Sequence, residues 1–162
     1  MTTPTDDGTA PGTAATTPSA DAASPRRSVE IERTGPSTYV ARNERGGELR
    51  VSAAGDPGFT PVELLLVALG TCSAVDLEVA VRRAEPETFT VRVDAEKVRV
   101  EGASTLRDIE VAFDVRFPEG PDGDAARTVL PRALQVSHDR SCTVSRTVES
   151  GTPVVMRLVD QR

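Results

Sequence analysis

Residues 60–83 read TPVELLLVALGTCSAVDLEVAVRR, and this stretch decides the fold. Thr60 offers a side-chain oxygen for a helix N-cap. Pro61 suits the first helical position, where its missing N–H would be unpaired anyway, and Glu63 stands where its carboxylate can reach back to the cap backbone. The spacing predicts a helix from Pro61 to about Arg83. It stops before Glu85 and Pro86, because the residue preceding a proline is pushed out of the helical region. The first half, VELLLVALG, is apolar almost all round apart from Glu63, which implies burial on every side against a sheet or a partner chain.

Upstream, the runs VEIER (29–33), STYVAR (37–42) and ELRVSA (48–53) are separated by Gly35-Pro36 and by Gly46-Gly47. Short alternating runs bounded by turn residues predict a three-stranded meander. Downstream, FTVRVDAEKVRV (89–100) reads as a strand with a bulge near Glu96. Ile109, Val111, Phe113, Val115 and Phe117 alternate with polar or small residues, the period of a half-buried strand. DAARTVLPRALQVSHD (124–139) is helical in pattern, with Pro131 expected to kink or split it. A last short helix is expected to begin near Ser141 and stop at Gly151, a C-terminal cap, and VVMRLV (154–159) closes the chain as a strand. The order predicts an α+β domain.

The 162 residues carry 19 Lys plus Arg against 25 Asp plus Glu, for a net charge of -6. That size suits one domain, since domains usually run to roughly 100–200 residues. Residues 1–27 hold no large apolar residue except Met1 and are expected to form a disordered tail, leaving 28–162 as the single folded domain. Aromatic residues are few and basic residues are interspersed with acids, which argues against nucleic-acid binding. The longest unbroken apolar run, Leu64 to Leu69, is far short of the ~20 residues that span a bilayer, so no membrane association is expected. No secretory signal is visible, so a cytoplasmic location with reduced thiols is expected.

The candidate chemistry lies in the two cysteines. Cys142 falls in the expected first turn of the last helix, where free backbone N–H groups and the helix dipole favour a thiolate. Cys72 lies inside the long helix, where apolar surroundings raise a thiol pKa, and packing as a small hydrophobe is the commoner fate of such a residue. Taking ~100° per residue, Asp76 falls about 40° from Cys72 and Glu63 on the opposite side. His138 lies four residues before Cys142 and could pair with it, although a solvated side chain at a helix end is the simpler reading. Two cysteines and one histidine without a ligand spacing do not make a zinc site.

Together, TPVELLLVALGTCSAVDLEVAVRR and SCTVSRTVESG resemble the OsmC/Ohr family of thiol-dependent hydroperoxide reductases, particularly its OsmC-like branch, over residues 29–160. The resemblance implies an OsmC-like fold of three strands, a long buried helix, two strands, two helices and a final strand, intertwined with a second copy in a homodimer. It implies that Cys72 is the peroxidatic cysteine and Cys142 the resolving one, that organic hydroperoxides are reduced to alcohols in oxidative stress defence, and that a dithiol or lipoyl-type reductant regenerates the thiols with no bound cofactor. The family places a Glu directly after the helix-opening Pro, where this chain has Val62, so Glu63 is the candidate for the acidic role. For the activating arginine, Arg33 and Arg42 are the nearest candidates, with Arg42 preferred because it ends the strand containing Tyr39 and Val40. The alternative expectation is a protein of the same fold that binds a small apolar ligand, or serves a protective role, without efficient peroxidase activity.

Overall fold

The computed structural model describes residues 26–53 and 55–159. Residues 1–25 of the expected tail lie outside the described residues. Three strands, β1 (Val29–Gly35), β2 (Thr38–Asn43) and β3 (Glu48–Ser52), form the antiparallel meander β1-β2-β3. Asn43 builds its second turn, because its Oδ1 accepts from the backbone N–H groups of Arg45 at 2.9 Å and Gly47 at 3.0 Å. A side chain that replaces a backbone acceptor in this way is the physical reason Asn favours turns.

The long helix opens as expected. Helix α1 covers Pro61–Asp76, and Thr60 and Glu63 complete both halves of the capping box. A short α2 (Glu78–Val81) follows directly, so helical structure ends close to Arg83. By length and composition the Pro61–Val81 stretch is apolar enough to cross a membrane, a property the six-residue apolar run does not disclose. In the fold it lies along β4 (Thr88–Val100) instead. Gly70 marks the closest approach, since a Cβ at that position would stand 2.7 Å from Val93 Cγ2. The expected burial on every side is not reached within one copy. Leu69, Gly70 and Ser73 in the second half of α1 are buried, but Val62, Leu65 and Val67 in its first half are each about two-fifths exposed. The first turns of the helix are only partly covered by the described residues of a single copy.

Strand β4 pairs with β5 (Ala103–Arg116) in a long antiparallel hairpin. Its two-residue turn, Glu101-Gly102, has positive φ at both positions, the mirror-image turn that matches strand twist and that Gly accommodates without strain. The expected irregularity near Glu96 is present, with the extra residue on the partner strand, where Asp108 and Ile109 together face Ala95 and Asp108 takes φ 50°. Along β5 the alternation holds, with Ile109, Val111, Phe113 and Val115 half-buried and their neighbours exposed.

Helix α3 (Pro121–Val136) runs through Pro131 without splitting. Pro131 is exposed, so the carbonyl it leaves without a helical partner can turn to water. A small core forms where α2 and α3 meet the end of β5, with Ala80, Phe117 and Ala126 buried and Val115, Val129 and Leu130 packed on them. A π turn (Ser137–Ser141) leads to α4 (Thr143–Glu149), and Gly151 follows in the left-handed conformation that favours glycine after a helix end. The expected final strand is a second correction. Residues 152–159 enter no ladder, and Val154, Val155, Met156, Leu158 and Val159 are each more than three-quarters exposed. An apolar run becomes a strand only by pairing with an edge, and within this copy residues 152–159 pair with no edge of either sheet.

Candidate functional site

Two elements far apart in sequence meet at the cysteines. Cys72 sits three turns into α1, on the face that meets the π turn and α4, and is half-buried. Cys142 is wholly buried, and it is the N-cap of α4 rather than a residue of its first turn. The first amides of a helix have no partner within it, and here they are shared between two sulfurs. The N–H groups of Thr143 and Val144 act on Cys72 and favour its thiolate, while Ser145 N–H donates to Cys142 Sγ at 3.5 Å. Each thiol also shifts the acidity of the other. Both are free.

These surroundings push the two sulfurs apart in acidity. Burial raises the Cys72 pKa, the interaction with Cys142 raises it further, and the amides of Val144 and Thr143 offset only part of this. Burial also opposes ionisation of Cys142, but the Ser145 and Ser73 hydroxyls, the Ser145 amide and Cys72 outweigh it and hold the pKa to about 7. The Ser145 hydroxyl also has the Cys142 carbonyl within reach at 3.4 Å, and its single proton serves one acceptor at a time. Because the Ser145 hydroxyl is the leading influence that lowers the Cys142 pKa, Ser145→Ala is expected to move the thiol titration upward from about 7 without abolishing the amide bond. Ultraviolet titration of thiolate absorbance checks this, and an unchanged midpoint would remove the hydroxyl from the account.

The other candidates stand elsewhere. Glu63 Oε2 accepts from Thr60 N–H at 2.7 Å and Thr60 Oγ1 at 2.9 Å, which lowers its pKa, the backbone bond most. It borders a cavity of about 310 Å³ between α1 and β4, with Leu66, Gly70 and Val93, and neither cysteine lines that cavity. Arg42 is gripped on the meander by Glu48 at 2.6 Å and Glu32 at 2.8 Å, and these bonds raise its pKa, Glu48 leading. Arg33 lies on β1 opposite Tyr39. No cation is among the principal influences on either thiol. His138 places Nδ1 3.7 Å from Glu149 Oε1 and is exposed. Among the described residues no group of three His, Cys, Asp or Glu side chains could hold a metal ion.

A larger cavity of about 530 Å³ has walls from Leu69, Ile109, Phe113 and Leu134 and reaches Ser73 and Ser145, the two hydroxyl donors to Cys142. Ser73 and Ser145 were not singled out by the sequence. For Ser145 a signal exists: once Cys142 is placed at the N-cap, the third residue on is the one whose amide meets the cap side chain. Ser73 carries no such signal, because its partner arrives through tertiary packing.

The geometry can be set beside known proteins. Residues 53–157 match the family model described as OsmC-like protein. The uncharacterized protein Rv2923c of Mycobacterium tuberculosis is 32% identical over 133 residues, covering 80% of this chain and 94% of that protein. Among solved structures, a hypothetical protein from Aquifex aeolicus superposes with a TM-score of 0.60 at 23% identity, covering 78% of this chain and 89% of that one. An OsmC-like protein from Mycoplasma pneumoniae gives a TM-score of 0.61 at 15% identity, covering 76% and 87% respectively. The last two likenesses concern the fold, whereas the extent of the family match and the mycobacterial relative settle membership: the chain belongs to the OsmC-like protein family.

Proposed function

We propose that the protein is a cysteine-based peroxidase that reduces organic hydroperoxides to alcohols and serves oxidative stress defence in the cytoplasm. The observation that carries this reading is the contact between two free thiols, one half-buried and one fully buried, with three helix amides aimed at them. The Cys72 thiolate attacks one oxygen of the hydroperoxide. The O–O bond breaks, the sulfur becomes a sulfenic acid, and the departing alkoxide takes a proton to leave as the alcohol. The Cys142 thiolate then attacks that sulfur and expels hydroxide, which takes a proton to become water, and a disulfide forms. An external dithiol of the lipoyl type reopens it by exchange, so no bound cofactor is required.

Cys72 is assigned the attack because it is the sulfur that solvent reaches, although Cys142 is the more acidic. Two interacting thiols lose their first proton as a pair. The pair ionises at the pKa near 7 that Cys142 displays, and the remaining proton can then rest on Cys142, leaving the charge on Cys72 under the amides of Thr143 and Val144. The larger cavity includes neither sulfur and carries Arg107, His138 and Glu149 on its walls, but it reaches Ser73 beside Cys72. Its apolar wall of Leu69, Ile109 and Phe113 supports an organic substrate over hydrogen peroxide. A homodimer is part of the proposal, because a second copy would cover the exposed apolar residues in the first half of α1 and offer an edge to residues 152–159. The activating arginine would then come from a meander segment bearing Arg33 or Arg42.

The test is stopped-flow oxidation of the reduced protein by an organic hydroperoxide and by hydrogen peroxide, followed by mass spectrometry. Fast, organic-selective oxidation ending in a Cys72–Cys142 disulfide is expected. Thiols that react no faster than free cysteine would sink the reading. One observation favours the rival, a small-apolar-ligand or protective protein: the Cys72 pKa is raised and no cation is among the principal influences on it.

A further inference from the structure

We propose that Asp76 and Ser137 form a latch that positions Cys142 for condensation with Cys72. The inference rests on the two-cysteine reading above and assigns the residues that make its second step possible.

Ser137 is fully buried and is bonded in two directions. Its hydroxyl donates to Asp76 Oδ2 at 2.8 Å, and its carbonyl accepts from Cys142 N–H at 2.9 Å. The second bond closes the π turn that leads into Cys142. One residue is therefore fastened to α1 by its side chain and to the resolving cysteine by its backbone. Asp76 lies one turn beyond Cys72 on the same helix and the same face, so α1 carries both the attacking sulfur and the acceptor that locates its partner.

The π turn makes such a fastening necessary. Its wider ring is less favourable than an α-helical turn and survives where tertiary contacts hold it. If it relaxed to the α-helical pattern, the residue it absorbs would rotate the chain beyond it by about 100°, and Cys142 would leave Cys72. The nearby bond from Arg146 to the Asp139 carbonyl, at 2.6 Å, ties the turn to α4 only and cannot hold either to α1. In the reaction itself the latch moves no proton and touches no substrate. The Cys142 thiolate attacks the Cys72 sulfenic acid, the S–S bond forms as the S–O bond breaks, and water leaves after one protonation. Asp76 and Ser137 are positioning residues for that step.

A glutathione redox buffer measures the positioning directly, because the ratio of internal disulfide to glutathione adduct on Cys72 gives the effective concentration of Cys142. With the full chain and mass spectrometric readout, D76A and S137A are expected to lower that concentration about tenfold and accumulate the Cys72 adduct. D76N is expected to stay near the parent value, since the carboxamide oxygen still accepts from Ser137. The D76A/S137A double variant is expected to lose no more than either single one, because the pair acts as a unit. Urea midpoints identify a variant that has simply lost its fold, in which case D76N against S137A decides. An unchanged ratio in D76A, a D76N as impaired as D76A, or additive losses would each overturn the latch. A parent protein that closes the disulfide in glutathione yet ignores hydroperoxides would sink only the peroxidase reading.

Discussion

Cys72→Ser is expected to reduce hydroperoxide consumption by several orders of magnitude, to the rate of the uncatalysed reaction. A hydroxyl in place of the thiol cannot ionise near neutral pH and is a poor nucleophile toward peroxide oxygen, so the covalent route closes altogether. The substitution exchanges one small group for another at a half-buried position, and the capping box and the packing of Gly70 on Val93 lie on other parts of α1. The fold is therefore expected to survive, which circular dichroism and binding of an apolar probe to the larger cavity would verify. Steady-state consumption of an organic hydroperoxide with a dithiol present is the measurement. Substantial turnover in this variant would remove Cys72 from the attacking role.

Cys142→Ser is expected to act differently. The first oxidation survives and consumes one equivalent of hydroperoxide per chain in forming the sulfenic acid, but no disulfide can form afterwards. The sulfenic acid on Cys72 is then exposed to further peroxide and passes to sulfinic acid, which dithiols do not reverse. Mass spectrometry should find two added oxygens on Cys72 where the parent shows a disulfide. The experiment also probes the acidity of the pair. Cys142 is held to a pKa of about 7 while Cys72 is raised, and on acidity alone Cys142 would be the attacker. In that case Cys142→Ser would lose even the first equivalent and Cys72→Ser would retain it. The two variants together therefore assign attack and resolution without reference to the family.

How much of the fold and the site is legible in the sequence depends on how local each signal is. The capping box of Thr60 and Glu63 is readable because both partners lie within one turn, and the β4–β5 irregularity announces itself through broken alternation near Glu96. The exposure of Val62, Leu65 and Val67 in the first half of α1 and the unpaired run at 152–159 are not readable. Apolarity says that a surface should be covered and is silent about what covers it. At the site, both cysteines are legible as the chemistry-bearing residues, and Cys142 is misplaced by a single position, from cap to first turn. That small difference matters, because the cap position allows its sulfur to accept an amide. Arg42 is read from its strand alone, whereas its directly opposed neighbour is Glu48, and the cross-strand pair engages the guanidinium. Asp76 is visible on the thiol face of the helix. Its partner Ser137, far along the chain, could come only from the fold.

The ladders of both sheets join strands that are neighbours in sequence, through short turns. Such hairpins close small loops and can form early, because the entropy lost on closure grows with the length of chain enclosed. The joining of α1 to the segment from Ser137 to Glu149 is of another kind, since it encloses both β4–β5 and α3. Among the main contacts between described elements, the longest closure thus coincides with the meeting of the two sulfurs. A chain still emerging from the ribosome has an ordinary cysteine at position 72, without the Thr143 and Val144 amides and without a resolving partner. The thiol pair is assembled only once the chain has been synthesised through Cys142 and the helix that follows it.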